Sequence, residues 1–224
     1  MAAYLREERT APLADDGSSH LLLEVARTVR DNFHILCGLS CIFLLVALPW
    51  VVLATVTSWA VAWLPLVLTT APLWVVIVAS AQGMLEGDAV SWRMMAKDLR
   101  RLWWPGLRIG ILPGMCGTVL LGIVQSASDP IWKGMLLPVV AGVSVAVWVL
   151  VIPAVPLLTR LNIAGIALWQ ASAVVVMRRP AQVLGTVVLA GIGVWLALVF
   201  GPAVLLGVAP LAVLVAAITL PDAD

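Results

Sequence analysis

From His34 to Gln82 the chain carries no Asp, Glu, Lys or Arg, and from Ala181 to Leu220 it is uncharged again. Few folds accept such runs. A helix crossing the hydrocarbon core of a bilayer needs about 20 consecutive apolar residues. Inside that core every backbone N–H and C=O must be bonded within the protein, and a helix does this by itself. Composition agrees: 62% of the residues are hydrophobic and 11% charged, against about 45–50% and about 25% in a soluble domain. The chain reads as an all-α, polytopic integral membrane protein. Its formal net charge of +1 is uninformative; the placement of the charges along the chain is what discriminates.

The runs predict about six spans, at roughly 34–57, 60–82, 106–125, 134–158, 182–199 and 203–219. The first contains Pro49, the second Pro65 and Pro72, the fourth Pro138, Pro153 and Pro156. Prolines inside spans imply kinked helices. Thr57-Ser58-Trp59 forms a short uncharged turn, and Gly83 and Gly87 frame an acidic break at Glu86 and Asp88. Residues 126–130 read as a loop. The last run, Ala181 to Leu220, is about twice the length one span requires. Phe200-Gly201-Pro202 divides it into two short spans, with one long broken helix as the alternative.

Residues 1–17 are polar and are expected to form a disordered cytoplasmic tail, leaving 18–224 as a single membrane domain. Ser18 or Ser19 suits a helix N-cap. Leu22, Val25, Ala26, Val29 and Phe33 then share one face of an interfacial helix over about 20–33. The same residues also fit the cytoplasmic end of one long helix. The first long apolar run begins near residue 35 with no small-residue cleavage site before it, so the N-terminus is expected to be retained as an anchor.

Positive charge sets orientation. With both termini in the cytoplasm, every Lys and Arg except Lys133 lies on the cytoplasmic side or at its edge. Segment 161–177 is uncharged and slightly short for a span, and Arg160 and Arg178-Arg179 flank it. It is therefore expected to stay on the cytoplasmic side, as a shallow interfacial or re-entrant helix. Trp59, Trp63 and Trp132 mark the outer boundary, and Trp92, Trp103 and Trp104 the inner one.

The stretch 90–104 is amphipathic. Trp92, Met95, Leu99, Leu102 and Trp103 fall on one side, and Arg93, Lys97, Arg100 and Arg101 on the other. This pattern predicts a basic helix lying flat in the interface, ended by Pro105, which cannot donate the next helical bond. Trp92, Arg93, Lys97, Arg100, Arg101, Trp103 and Trp104 are thus candidate contacts for anionic lipid head groups or for a protein partner. The following span carries Gly106, Gly110, Gly114 and Gly117. Small residues at this spacing let two helix backbones approach closely. The stripe serves either internal packing or an oligomer face.

Chemistry is scarce. The expected spans contain no Asp, Glu or Lys, and Arg108 is their one Arg, near enough to an end to snorkel. Ion-coupled transporters use intramembrane ionisable groups, and an intramembrane hydrolase needs an activated nucleophile and a base. His34, Cys37 and Cys41 share a helical face and could present soft metal ligands, but a fourth ligand is wanting, and small buried hydrophobes are the simpler reading. Cys37, Cys41 and Cys116 make an odd count, which suggests no disulfide framework. Thr69 and Thr70 precede Pro72 and are expected to satisfy the backbone it disrupts. The expectation is no catalytic residue, no cofactor and no metal.

Asn32 before the first span, Leu48-Pro49 late in it, the Trp- and Arg-rich helix at 92–104, Pro156-Leu157-Leu158-Thr159-Arg160, Arg178-Arg179-Pro180 and the paired short final spans resemble the YesL-like family of small bacterial membrane proteins. The resemblance covers most of residues 20–220. It implies a bacterial inner-membrane protein associated with carbohydrate import. A non-enzymatic accessory subunit is then expected, packing against a membrane protein partner, such as an ATP-binding-cassette transporter, or against itself. No nucleic acid is expected. The alternative is a small transporter or channel for an uncharged or amphipathic solute.

Overall fold

A computed structural model describes residues 26–88, 90–126, 130–161, 163, 165–200 and 208–217. All regular structure among them is helical: α1 (26–31), α2 (Phe33–Val56), α3 (Trp59–Leu85), α4 (Trp92–Ser126), α5 (Pro130–Leu161), α6 (Ile166–Arg178), α7 (Pro180–Phe200) and α8 (Val208–Ala217). The tail at 1–17, the caps at Ser18 and Ser19, the loop at 127–129 and the turn at Gly201-Pro202 fall outside the described residues, as do the side chains of Trp132 and Lys133.

Local chemistry fixes the boundaries. Asn32 links α1 to α2, its N–H donating to the Thr28 carbonyl at 3.1 Å and its carbonyl accepting from Leu36. Ser58 is extended and caps α3, its hydroxyl accepting from the Val61 N–H at 3.3 Å. The end of α3 is a Schellman turn. Gly87 has φ +84°, the Asp88 N–H donates to Gly83 at 2.8 Å, and the Gly87 N–H donates to Met84 at 3.3 Å. Ser91 begins α4, its hydroxyl accepting from the Met94 N–H at 3.4 Å.

Four helices, α2 to α5, are long and apolar enough to cross a membrane. The count reaches five if α6 and α7, bent by 102° at Arg179, form one broken span. The described residues thus carry four or five such helices where six were expected. The shortfall lies in the C-terminal run, where α8 is described over 10 residues.

Pro105 does not end a helix. α4 runs for 35 residues through Pro105 and Pro113. The expected separate interfacial helix at 90–104 and span from Gly106 are parts of one element. Proline removes one hydrogen bond, and packing along both halves of α4 outweighs that loss.

α3 is the central helix, packed against α2, α4, α5 and α8, with its longest contact along α4. Val75, Val76, Ile77, Val78 and Ala81 are all buried, as befits a helix that is apolar around its circumference. From α8, Ala212, Val213, Val215 and Ala216 are wholly enclosed. α6 docks on the flank of α5, where the buried Ser172 hydroxyl donates to the Leu150 carbonyl. That carbonyl lies well inside α5, so α6 does more than cover its end.

Candidate functional site

The glycine stripe faces α3. A Cβ on Gly106 would come within 2.7 Å of the Pro72 Cα, and one on Gly110 within 2.6 Å of the Ala71 Cβ. One on Gly114 would meet Leu64 Cδ1 at 3.0 Å, and one on Gly117 would collide with the Trp63 indole. The four glycines therefore form one internal seam, and an oligomer face is not available there. Trp63 is half-buried against this seam, with its indole N–H enclosed and without a hydrogen-bond partner among the described residues.

The first turns of α4 divide in a way the sequence pattern did not disclose. Met95 and Leu102 are buried at 5% and 1% exposure and Leu99 is half-buried, all in the protein core. Trp103 and Trp104 remain exposed. Trp92 is exposed too, but its ring lies over α2, where a Cβ on Gly38 would sit 2.7 Å from Cη2. Arg93, Lys97, Arg100 and Arg101 are all exposed. The apolar face read as an interface anchor is thus largely a protein-packing face, with the tryptophans and basic residues left outward.

Other expected positions separate. His34 and Cys41 are exposed and Cys37 is half-buried, and the described residues hold no group of three His, Cys, Asp or Glu suited to a metal. Thr69 bonds to the carbonyls of Pro65 and Leu66, and Thr70 to that of Leu66 at 2.7 Å. Pro72 deprives Leu68 of its usual donor, so neither threonine makes the expected repair. Arg108 is exposed beside a shallow groove of about 130 Å³ that also includes Pro105, Leu168 and Trp169.

A cleft that sequence reasoning missed opens where three helix ends meet. Its volume is about 260 Å³. The end of α3 contributes Ser80, Gln82, Glu86 and the following Asp88; α4 contributes Met94, Met95, Asp98 and Arg101; α5 contributes Thr159 and Arg160. Gln82 ties the floor together, donating to the Pro156 carbonyl at 3.1 Å and accepting from the Thr159 hydroxyl at 2.5 Å. Two ion pairs lie at the rim, Arg160 to Glu86 at 3.8 Å between α5 and the end of α3, and Arg101 to Asp98 at 3.7 Å within α4. Both are long and partly solvated, so each adds little stability. Ser80 is 5% exposed and its hydroxyl has no hydrogen-bond partner among the described residues. The sequence did hold a signal: Ser80 and Gln82 interrupt an apolar run just before two acidic residues.

No family model matches the chain, and neither the curated proteins nor the solved structures contain a match to it.

Proposed function

We propose that this chain is a non-enzymatic accessory subunit that packs against a partner membrane protein. One observation carries the reading. With the α4 stripe turned inward, α5 presents a second stripe of compact residues, Gly134, Pro138, Gly142 and Ala146, all exposed. A Cβ on Gly134 or Gly142 would meet nothing within 4 Å among the described residues. Lipid tails give no hydrophobic drive for helix association, so close backbone approach is a principal means of it. This face fits a transmembrane helix of another protein. Several polar side chains within the spans are engaged in their own helices: Thr118 donates to Gly114, Ser144 to Val140 and Thr186 to Gln182. That leaves them structural work in place of chemistry.

The resemblance to the YesL-like family points the partner towards a carbohydrate importer of the ATP-binding-cassette type, in a bacterial inner membrane. The α2 and α4 starts, tied by Trp92 over Gly38, and the α3 and α5 ends, tied by Glu86 and Arg160, share one end of the bundle. Arg93, Lys97, Arg100, Arg101 and Arg160 gather there, which supports a cytoplasmic assignment for that end. Both termini are proposed to lie on the same side. A Cys at Ser128 should then react with an impermeant reagent in intact cells, and one at Ser91 should not.

Purification in mild detergent, followed by mass spectrometry, tests the accessory reading. A membrane protein should co-purify with wild type and be lost from Gly142→Leu at equal expression. Retention by Gly142→Leu sinks the α5 face, and a particle containing this chain alone makes the partner a second copy. The three-helix cleft favours a second reading, a small transporter or channel for an uncharged or amphipathic solute.

A further inference from the structure

The geometry points to a binding site for one glycerophospholipid with an anionic head group, its phosphate held by Arg108 in the groove between α4, α5 and α6. The inference rests on neither of the two functional readings.

Depth is the first argument. Gly106 and Gly110 flank Arg108 and pack against Pro72 and Ala71. Pro72 lies 13 residues from either end of α3, about 20 Å by helical rise. The Arg108 backbone is therefore level with the middle of the central helix. On its own helix it stands about 10 Å beyond Arg101, a residue of the polar cleft. Side chains lean towards the N-terminus of their helix, so Arg108 inclines towards the basic end of the bundle. That lean shortens its depth without removing it.

Charge is the second argument. Arg108 takes part in no ion pair among the described residues. Its groove, lined by Pro105, Ile109, Leu158, Gly165, Leu168 and Trp169, includes no carboxylate. Ionised groups at membrane depth are costly and almost always paired. A guanidinium, with five N–H donors in a fixed fork, matches a phosphate or a carboxylate.

Placement selects the lipid as the source of that anion. Trp104, Arg108, Leu112 and Met115 succeed one another along one face of α4, all exposed. Arg108 thus faces the surrounding membrane, with a Trp of the interfacial kind on one side and an apolar track for an acyl chain on the other. Leu158 and Gly165 carry the groove towards the basic end of α5 and the start of α6. Basic pockets between spanning helices on the cytoplasmic side hold lipid head groups. The volume, about 130 Å³, is well under the roughly 300–1,000 Å³ that encloses a free ligand, and suits a head group whose chains stay in the bilayer. Lys97 and Arg101 continue the same exposed face towards the basic end. The choline of a zwitterionic lipid would meet like charge there, which favours an anionic head group.

The test is native mass spectrometry of the full chain in maltoside detergent, titrated with phosphatidylglycerol or phosphatidylcholine of matched chains. One phosphatidylglycerol should bind in preference to phosphatidylcholine. Arg108→Gln should weaken it about tenfold, the loss of one charge-assisted contact. Arg108→Lys should fall between the two, since a point charge holds phosphate without the fork. Arg93→Gln/Arg100→Gln, off this face, should bind as wild type does. In lipid-free detergent Arg108→Gln should unfold at or above the wild-type temperature, because an unpaired cation has been removed, and phosphatidylglycerol should then stabilise wild type alone. Undiminished binding by Arg108→Gln, equal affinity for phosphatidylcholine, or loss of binding in Arg93→Gln/Arg100→Gln overturns the proposal. Displacement of the lipid by excess inorganic phosphate overturns it as well, by marking a site for free anions. A lower unfolding temperature of Arg108→Gln without lipid does so too, by giving Arg108 a role within the bundle.

Discussion

Gly110 of α4 lies so close to Ala71 of α3 that a Cβ added to it would stand 2.6 Å from the Ala71 Cβ. Glycine here serves contact between backbones and not flexibility, since the helix is continuous through it. Gly110→Ala should therefore destabilise the protein by about 1–3 kcal/mol, the usual cost of overpacking. Ala71→Gly should recover part of that loss in the double variant, because the two positions share one contact. At Gly122 of the same helix a Cβ would meet nothing within 4 Å among the described residues, so Gly122→Ala should be neutral or stabilising by up to about 1 kcal/mol. Thermal unfolding in one detergent decides among the three.

The continuity of α4 through Pro105 sets a distance. Spin labels on cysteines at Lys97 and Ile111, both exposed, are separated by 14 residues of helix. At 1.5 Å per residue this gives about 21 Å between backbones. An interfacial helix turned through a right angle at Pro105 would give about 15 Å by the same rise. A shorter distance in nanodiscs would restore the flat shelf that the sequence pattern suggested.

These two elements show what was legible in the sequence. The positions of α2, α3 and α5 follow from uncharged runs, because hydrocarbon excludes charge residue by residue. The seam at Gly106 to Gly117 was legible as a stripe, since small residues at helical spacing have few other uses in a membrane. What covers an amphipathic face was not. Met95 and Leu102 have the same spacing whether they meet lipid or the protein core, so periodicity alone cannot separate the two. Pro105 misled because its missing hydrogen bond is a local property, and the packing that overrides it is not. The cleft was hidden for a related reason: Ser80 to Asp88, Met94 to Arg101 and Thr159-Arg160 are distant in sequence and meet only once three helices are aligned.

Gln82 joins α3 to α5 through both ends of its amide, to Pro156 and to Thr159. Interhelical hydrogen bonds in membranes are worth about 0.6–2 kcal/mol. Gln82→Leu should lower stability by about that amount, and Thr159→Val by less, because Val keeps the shape of Thr and Gln82 keeps its own bond to Pro156. A double-mutant cycle read by thermal unfolding should give a coupling above about 0.5 kcal/mol. Strict additivity would mean that the bridge contributes nothing.

The exposed basic residues of α4 separate lipid binding from partner docking. Arg93, Lys97 and Arg100 face outward, while Arg101 is paired with Asp98 at the cleft. Suppose they meet only anionic lipid. Each is then worth about 1 kcal/mol near the surface, the spanning helices already hold the protein in place, and Lys can replace Arg without loss. Suppose instead that they dock a protein. Arg presents a planar fork for bidentate pairing that Lys lacks, so Arg93→Lys/Arg100→Lys should already weaken the complex. Arg101 is left unchanged in this variant because its loss would also alter the cleft. The measurement is recovery of the co-purifying membrane protein, at equal expression and with orientation checked by labelling at Ser91 and Ser128. The accessory reading predicts reduced recovery with the double Lys variant and further loss with Arg93→Gln/Arg100→Gln. Full recovery with both variants would assign these residues to lipid and leave the α5 face to hold the partner alone.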